Sequence, residues 1–523
     1  MNNLRILYHM ARADFLERVR RYSFLLVLAA TGYLGFAINR GDLYLELDGY
    51  RGVLNSAWVG GMMAASSVLL LTLFGFYLVK NTIERDRETG VGQIIATTPI
   101  SRPMYLLGKW LSNTAVLLTL IIILALAALV MQLLGGESSR LDSWALLAPF
   151  LLLALPAMLL VAAIALFFET ISWLRGGAGN VIYFFVWLFA LISALESKVF
   201  WFDWTGLWIT WQSMAEALTK VYPGYSGGFN FTEQALPAGG LLTFEWMGIH
   251  WTPEILLSRF IWLIVTVVLV LVSSLFFRRF DPAFEKIRKP QKSTSQTLDG
   301  MGEVPTSIQH TEHQPVQLSV LARDWPRFSF LQLLAAEIRL LLKGWPWWWY
   351  LVALGLVLGT LFSPLETTRA ELLPFAWLWP ILLWSSLGCR ETHHNTRQIV
   401  FSTPHPLRWQ LPSAWLAGFL FAALMGAGAA VRFLLAGETL SLFSLLAGAL
   451  FIPSLALVLG VWIGSSKPFE VIYMMLWYIG PFQKTAALDF MGTSTATSWP
   501  MFAGLAVVLF IIAVVGRQRQ LAD

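Results

Sequence analysis

Long uncharged apolar runs constrain the fold of this chain more than any other feature. Residues 57–79 (AWVGGMMAASSVLLLTLFGFYLV) and 146–168 (LLAPFLLLALPAMLLVAAIALFF) contain no charged side chain. A bilayer core about 30 Å thick is crossed by roughly 20 apolar residues of helix. The whole chain is 57% hydrophobic and only 13% charged, whereas soluble domains are about 25% charged. The sequence therefore predicts an all-α polytopic membrane protein.

Apolar runs recur along the chain and predict about 12 transmembrane helices. The predicted spans are residues 23–38, 57–79, 110–134, 145–168, 179–195, 255–277, 347–362, 374–388, 410–435, 442–463, 468–480 and 499–516. Lys and Arg collect on the cytoplasmic side of membrane proteins. When both termini are placed inside, the inner segments hold 27 of the 36 basic residues. We expect a multi-pass protein of the cell (cytoplasmic or inner) membrane with both termini cytoplasmic. The net charge of +5 reflects this topology and not nucleic-acid binding.

Two hydrophilic stretches resemble each other across the chain. They are the first repeated loop, RETGVGQIIATTP at 87–99, and the second repeated loop, RETHHNTRQIVFSTP at 390–404. Aligning Gln93 with Gln398 runs without a gap, and the two RET tripeptides match if two residues are inserted in the later copy. Further on, VIYFFVW at 181–187 matches VIYMMLW. Three matched blocks in the same order predict an internal duplication.

The duplication divides the chain into two pseudo-symmetric halves of six helices each. The first half covers 1–280, the second covers 328–523, and a polar, flexible cytoplasmic linker at 281–327 joins them. Each half begins with an amphipathic stretch, clearest at 331–342, which predicts a helix lying along the inner membrane interface. Residues 196–254 form one large external segment rich in tryptophan. This segment is either an aromatic belt at the interface or a re-entrant lid.

Each repeated loop follows the second span of its half, on the inner face. In the first loop a charged lead ends at Gly90 and Gly92, and a short apolar turn around Ile94 stops at Pro99. A brief helix that exposes apolar residues beside charged ones is suited to docking against another protein. The alternative is a loop that only connects two spans.

Residues 87–109 (RETGVGQIIATTPISRPMYLLGK) resemble the cytoplasmic loop of type-2 ABC exporter permeases. The residues that fit that family's pattern are Arg87, Glu88, Gly90, Thr98, Pro99, Gly108 and Lys109. The chain departs from the pattern where Gln93 and Gln398 replace a glutamate and Gly92 replaces a leucine. The second copy has Ser413 and Ala414 in place of the Gly-Lys pair.

The resemblance implies a transporter permease with two six-span units fused in one chain. Each repeated loop would be a coupling helix between spans 2 and 3 of its half, inserted into a separate ABC ATPase subunit, with two ATPase copies per chain. The implied ATPase-coupling residues are Arg87, Glu88, Gly90, Gln93, Ile94, Thr98, Pro99, Arg390, Glu391, Gln398, Ile399, Thr403 and Pro404. The implied pathway runs between spans two and five of each half, and its candidate residues are Ser66, Ser67, Tyr183, Trp187, Ser385, Ser386, Tyr473 and Trp477.

The sequence predicts a transport subunit and not an enzyme. The phosphate-binding pattern Gly-x-x-x-x-Gly-Lys-[Ser/Thr] does not occur in the chain, so no catalytic residues are predicted and ATP and Mg are expected only on the partner ATPase. No metal site is expected, because adjacent His393 and His394 point apart and His310 and His313 lie in the polar linker.

The predicted spans contain almost no charged residues, which favours a hydrophobic or amphipathic substrate such as a drug, a lipid or an antibiotic-like molecule. Membrane lipid is the other expected contact. Two other classes of protein stay open: an ion-coupled secondary transporter, and a membrane scaffold or sensor that transports nothing.

Overall fold

The structure is a computed structural model. It describes residues 3–20, 44–47, 49–138, 140–196, 199–225, 230–232, 242–277, 279–280, 330–402, 406–494 and 498–522, together with five single residues between 24 and 33. Most of the predicted span 23–38, the linker 281–327, Thr403 and Pro404 lie outside the described residues.

Nine helices make up the described part of the first half. They are α1 (Asn3–Val19), α2 (Ser56–Val79), α3 (Thr82–Glu88), α4 (Val91–Ala96), α5 (Arg102–Gly135), α6 (Ser143–Thr170, with a π turn at Phe150–Ala154), α7 (Gly177–Glu196), α8 (Leu207–Val221) and α9 (Pro253–Phe276). Local sequence sets several boundaries. The Asn55 side chain accepts a hydrogen bond from the Trp58 amide at the start of α2, at 2.8 Å.

The described second half contains eleven helices, several of them very short. They are α10 (Phe330–Leu342), α11 (Trp347–Phe362), α12 (Leu365–Thr367), α13 (Leu373–Leu378), α14 (Ile381–Ser385), α15 (Arg390–His393), α16 (Arg397–Phe401), α17 (Pro406–Ala436), α18 (Thr439–Ile463), α19 (Lys467–Trp477) and α20 (Trp499–Ala522). Two π turns, Thr368–Leu372 and Tyr478–Phe482, extend α12 and α19.

Among the described residues, eight helices are long and apolar enough to cross a membrane, or up to nine if α10 and α11 form one bent span. The prediction of a helical membrane protein is therefore confirmed, whereas the count of 12 spans stays a prediction. The predicted span 374–388 is not one helix, because the chain breaks between α13 and α14 at Pro380. Proline has no N–H to continue the helical hydrogen bonds.

Helices α10 and α11 meet at a sharp bend of 105°. The bend falls where Gly344 adopts a φ of +98° and Pro346 caps the start of α11. Glycine takes this left-handed conformation without a steric cost. The amphipathic helix predicted at 331–342 is present as α10, and the bend allows it to run across the end of α11.

Four short strands connect the chain before α2 to the predicted external segment. Strand β1 (Tyr44–Glu46) pairs antiparallel with β3 (Asn230–Thr232), and β2 (Tyr50–Gly52) pairs parallel with β4 (Leu242–Phe244). Just after β4, the Trp246 carbonyl accepts a hydrogen bond from the Asn55 side chain at 2.9 Å. The segment 196–254 therefore packs on the start of α2, at the opposite end of that helix from the first repeated loop.

The two halves share one hydrophobic core. Helix α7 of the first half packs on α19 of the second, where Phe185 lies 6.2 Å from Trp477 between ring centroids. Phe184 lies 6.5 Å from Tyr478 in the same way. Helix α2 also contacts α19. The first half therefore meets the second through predicted spans two and five, and these contacts surround the site described next.

Candidate functional site

The two repeated loops each fold into a short helix with an exposed isoleucine. Ile94 on α4 is 67% exposed and Ile399 on α16 is 73% exposed. Gln93 and Gln398, the residues before them, are exposed as well. Residues of both loops line the same cavity, so the loops lie on one face of the molecule. Each loop therefore exposes an apolar side chain on that face.

One left-handed residue lies at the same position in the two loops when they are aligned without any insertion. Gly90 has a φ of +75° and Asn395 a φ of +53°, and each lies three residues before the aligned glutamine. Asparagine is among the few residues other than glycine that adopt this conformation readily. In this register Arg85 and Asp86 correspond to Arg390 and Glu391.

Side-chain contacts support the same register. Arg85 forms an ion pair with Asp14 on α1, and Arg390 forms one with Glu337 on α10 at 3.1 Å. The Tyr105 hydroxyl donates to Asp86 at 2.7 Å, and Gln410 donates to Glu391 at the same distance, with Tyr105 and Gln410 themselves aligned. The contacts therefore support the gapless alignment of the two loops, and not the alignment that matches the two RET tripeptides. Arg87 and Glu88 stand opposite Thr392 and His393.

A buried ionic cluster, here called the first joint, fixes the first repeated loop to α1. It consists of Asp14, Arg18, Arg85, Asp86 and Lys109. The Lys109 ammonium lies 2.8 Å from a carboxylate oxygen of each aspartate. Burial alone would raise the pKa of the Asp14 carboxyl, but Lys109, Arg18 and Arg85 outweigh it and hold that pKa below its ordinary value.

The second joint occupies the corresponding place in the second half. It consists of Glu337, Arg390, Glu391, Gln410 and Arg517. Arg517 comes from α20 and lies 3.4 Å from Glu391. Burial raises the pKa of Glu337, the nearby Glu391 adds to this, and Arg390 only partly opposes it. Asp14 on α1 and Glu337 on α10 therefore have pKa values shifted in opposite directions.

Each repeated loop is also anchored to the end of the last helix of its half. Arg279, just after α9, donates to the carbonyls of Ile95, at 3.2 Å, and Thr98. The ring of Phe280 lies where a side chain on Gly92 would be. In the second half the Arg517 guanidinium lies 4.9 Å from the ring centroid of Phe401 on α16. A displacement of either loop is thereby linked to a long helix.

A cavity of about 1860 Å³ lies between the halves and extends to both repeated loops. Its apolar wall includes residues of α2 and α18, among them Leu70, Leu71, Phe74 and Leu459. Toward the loops the lining becomes polar and charged, with Glu88, Arg390, His393 and His394.

A polar cluster joins the halves at the side of this cavity. The Lys80 ammonium donates to the Asn180 side-chain oxygen at 2.6 Å, and the Asn180 amide nitrogen donates to Glu470. From the second half, the Lys467 ammonium donates to the carbonyls of Lys80, at 2.7 Å, and Tyr77, at 3.1 Å. Charged side chains therefore take part in the contact between the halves.

Sequence reasoning missed this cluster, although the chain contains a signal for it. Glu470 lies inside the predicted span 468–480, and Lys80 follows 57–79 directly. Asn180 and Glu470 each stand immediately before the repeated VIY block, so they occupy matched positions. The expectation that charge is almost absent from the spans is therefore wrong at this interface.

The candidate pathway residues lie in three kinds of environment. Ser385 and Ser386 line the cavity. Ser66 and Ser67 are buried and bond carbonyls of their own helix, at 2.9 and 2.6 Å. Tyr183, Trp187, Tyr473 and Trp477 are buried and bond positions on the second span of their own half, namely Thr72 in the first half and Trp377 and Pro374 in the second. These four tie spans together, and any part they have in a pathway stays a prediction.

A second repeat lies on the opposite face, after α7 and after the α19 π turn. Asp203 accepts a hydrogen bond from the Gly206 amide at 2.7 Å, and Asp489 accepts one from the Gly492 amide at 3.0 Å. Both glycines have positive φ values, of +82° and +77°. The shared pattern is Asp, aromatic, any residue, Gly, and it was readable in the sequence as DWTG and DFMG.

Within the described part of the chain, no group of three or more His, Cys, Asp or Glu residues is arranged to hold a metal ion. Comparison of the chain with protein-family models, curated proteins and solved structures finds no match.

Proposed function

We propose that this chain is the membrane permease of an ATP-driven exporter, with two six-span units fused in one polypeptide. The observation that carries the proposal is the pair of short helices α4 and α16, one in each half, each presenting an exposed isoleucine on the same face. A solvent-exposed isoleucine on a short, well-anchored helix gains about 1.5–3 kcal/mol when a partner buries it.

The matched contacts of the two halves support a duplicated architecture with 12 spans. Three features occur once in each half. They are the Arg-to-acid pair of the joint, the left-handed residue of the loop (Gly90 or Asn395), and the Asp-to-Gly turn on the opposite face. We propose that both loops and both termini face the cytoplasm of the cell membrane, as the distribution of Lys and Arg indicates.

The proposed mechanism assigns ATP and Mg to two ABC ATPase subunits, one at each repeated loop. Their movement would shift α4 and α16, and the anchors at Arg279 and Arg517 would pass the shift to α9 and α20. Tilting of the halves would then open the cavity between them to one side of the membrane and then to the other.

Gentle detergent extraction followed by purification of the full chain tests the docking role. An ATPase subunit is expected to copurify with the unaltered chain and to be lost from the double variant Ile94→Asp with Ile399→Asp. The matched control is Val221→Asp, which alters an exposed apolar residue on the opposite face. Equal ATPase recovery from the double variant and the control would contradict the proposal.

An ion-coupled carrier is the second candidate, and the cluster of Lys80, Lys467 and Glu470 favours it. Buried ionisable groups at the contact between two moving halves are typical of carriers driven by ion gradients. Transport into inverted vesicles separates the two functions. Export driven by ATP and insensitive to an uncoupler supports the first, whereas export abolished by the uncoupler in the absence of ATP supports the second.

A further inference from the structure

We propose that the cavity between the halves binds an amphipathic anion, a molecule with an apolar chain or ring system and a phosphate or carboxylate group. This inference rests on the proposed function, because it assigns a substrate class to the pathway of the permease. It also changes the expectation from sequence, in which a pathway without buried charge favoured a hydrophobic or amphipathic molecule and disfavoured ions and multiply charged solutes.

The cavity lining is strongly basic. Seven lysines and arginines line it, against three glutamates. Two of the glutamates already have partners, because Glu84 lies 3.4 Å from Arg87 and Glu470 accepts from Asn180. Among the described residues, Glu88 is the only one of these three glutamates without a partner for its side chain, whereas an anionic ligand meets an excess of positive charge.

Two of the basic residues retain donors for a ligand. The Arg390 guanidinium bonds Ser386 through Nε and Glu337 through Nη1. Its Nη2 has no partner among the described residues and is buried, so a ligand reaches this donor when the side chain shifts toward the cavity. In the described structure, the contacts of Arg175 all run through Nε, to the Glu169 carbonyl at 3.1 Å and to Glu84 at 3.7 Å. Arginine binds phosphate and carboxylate groups through such paired N–H donors.

Four of the five other basic residues of the lining are already engaged, and together with the exposed Arg20 they act as a positive background. Arg18 and Arg85 pair with Asp14 in the first joint. Lys80 and Lys467 donate to carbonyls and to Asn180. These four groups hold the walls in place. We assign the anionic group to Arg175 and Arg390, because contacts with neighbouring residues position both guanidinium groups.

The apolar wall accounts for the rest of the ligand. Leu70, Leu71 and Phe74 of α2 face the same space as Leu459 and Ile463 of the second half. Ligand pockets for drug-sized molecules have volumes of about 300–1,000 Å³, and this cavity of about 1860 Å³ is larger. It has room for a charged group at the loop end and an extended apolar chain beside α2.

Equilibrium binding to the purified full-length chain in a neutral maltoside detergent tests the inference. The probes are dodecyl phosphate, the chain-matched cation dodecyltrimethylammonium, and inorganic phosphate. We expect saturable binding of dodecyl phosphate, at least about tenfold tighter than the cation, and no measurable binding of inorganic phosphate. Equal affinity for the two amphiphiles would overturn the proposal, and this comparison requires no variant.

A variant series localises the binding. Arg175→Gln combined with Arg390→Gln should weaken dodecyl phosphate binding at least about tenfold. Arg140→Gln, the control, removes one positive charge from an exposed residue on the opposite face and should leave binding unchanged. Unchanged affinity in the double variant would overturn the assignment to these two arginines.

A competition experiment in nanodiscs distinguishes a membrane lipid from another amphiphile. Loss of dodecyl phosphate binding when phosphatidylglycerol replaces part of the phosphatidylcholine identifies a lipid headgroup as the anion. Retained binding identifies a non-lipid amphiphile, and both results support the shared chemistry. Because no ATPase is present in these assays, failure of anion binding leaves the docking result intact, and failure of ATPase copurification leaves the binding result intact.

Discussion

The first and second joints hold equivalent loops with different chemistry. In the first, Lys109 bridges Asp14 and Asp86, and two arginines complete a compact buried cluster. In the second, the position of Lys109 is taken by Ala414, and Arg517 arrives from the last helix to pair with Glu391. The Arg-to-acid contact with the interfacial helix is kept in both halves. The two loops are therefore fixed at equivalent positions, but the additional cation comes from α5 (Lys109) in the first half and from α20 (Arg517) in the second.

Removing the bridging lysine should give the largest difference in stability between variants of the two joints. In Lys109→Met, Asp14 and Asp86 lose a shared cation in a buried site, which costs about 3–5 kcal/mol when one partner of a buried pair is removed. Gln410→Met takes one neutral donor from Glu391, which costs about 1–3 kcal/mol. Thermal unfolding of the purified chain measures both. The exposed Lys343→Met is the control, and an equal loss in the two joint variants would remove the distinction.

Loss of the loop anchors Arg279 and Arg517 should have different effects on ATPase copurification and on the melting temperature. Arg279→Gln removes hydrogen bonds to two carbonyls of the first loop. Because the loop can open locally without unfolding the long helices, we expect weaker ATPase copurification with a nearly unchanged melting temperature. Arg517→Gln also leaves the buried Glu391 without its cation, so both the copurification and the melting temperature should fall. Identical behaviour of the two variants would show that the anchors are equivalent.

The left-handed residues provide a smaller and cleaner test of the gapless register. Gly90→Ala forces a side chain into a positive φ at a cost of about 1–2 kcal/mol. Asn395→Gly keeps a residue suited to that conformation and should change stability by only a few tenths of a kcal/mol. The change in melting temperature measures each effect. A large loss in Asn395→Gly would mean that its side chain, and not its backbone, holds the second loop.

The opposite pKa shifts of the two interfacial acids predict opposite responses to pH. The pKa of Asp14 is lowered, so its contribution to stability is complete above about pH 4 and is lost as the pH falls further. The pKa of Glu337 is raised by burial, so the folded state binds a proton more readily than the unfolded state, and the second joint is stabilised as the pH falls from neutrality toward the ordinary glutamate value of 4.5.

Hydrogen exchange, corrected for the intrinsic effect of pH, measures this difference locally. Amides of α10 should become better protected between pH 7 and pH 5, with an effect below about 1 kcal/mol. Amides of α1 should not change over that range and should lose protection only below about pH 4. A parallel response of the two helices would contradict the predicted contrast.

The features that sequence predicted are those that depend on local pattern. Apolar runs gave the membrane helices, helical spacing gave α10, and the Gln-Ile pair of each loop marked an exposed short helix. The Lys80, Asn180 and Glu470 cluster could not be derived in the same way, because its partners lie about 100 and 290 residues apart and meet only through tertiary packing. The gapless register of the loops depends in the same way on contacts between residues far apart in the chain, which identical residue types do not reveal.

The bond between Asn180 and Glu470 has a consequence for how such a protein can evolve. In the proposed duplication these two residues are the same position in each half, and they face each other where the halves meet. A homodimer of one six-helix unit would place the same side chain on both sides of its two-fold axis. Two glutamates there would repel each other unless one were protonated. Joining the units in a single gene lets each side mutate separately, so an amide donor can sit opposite a carboxylate acceptor at the centre of the molecule.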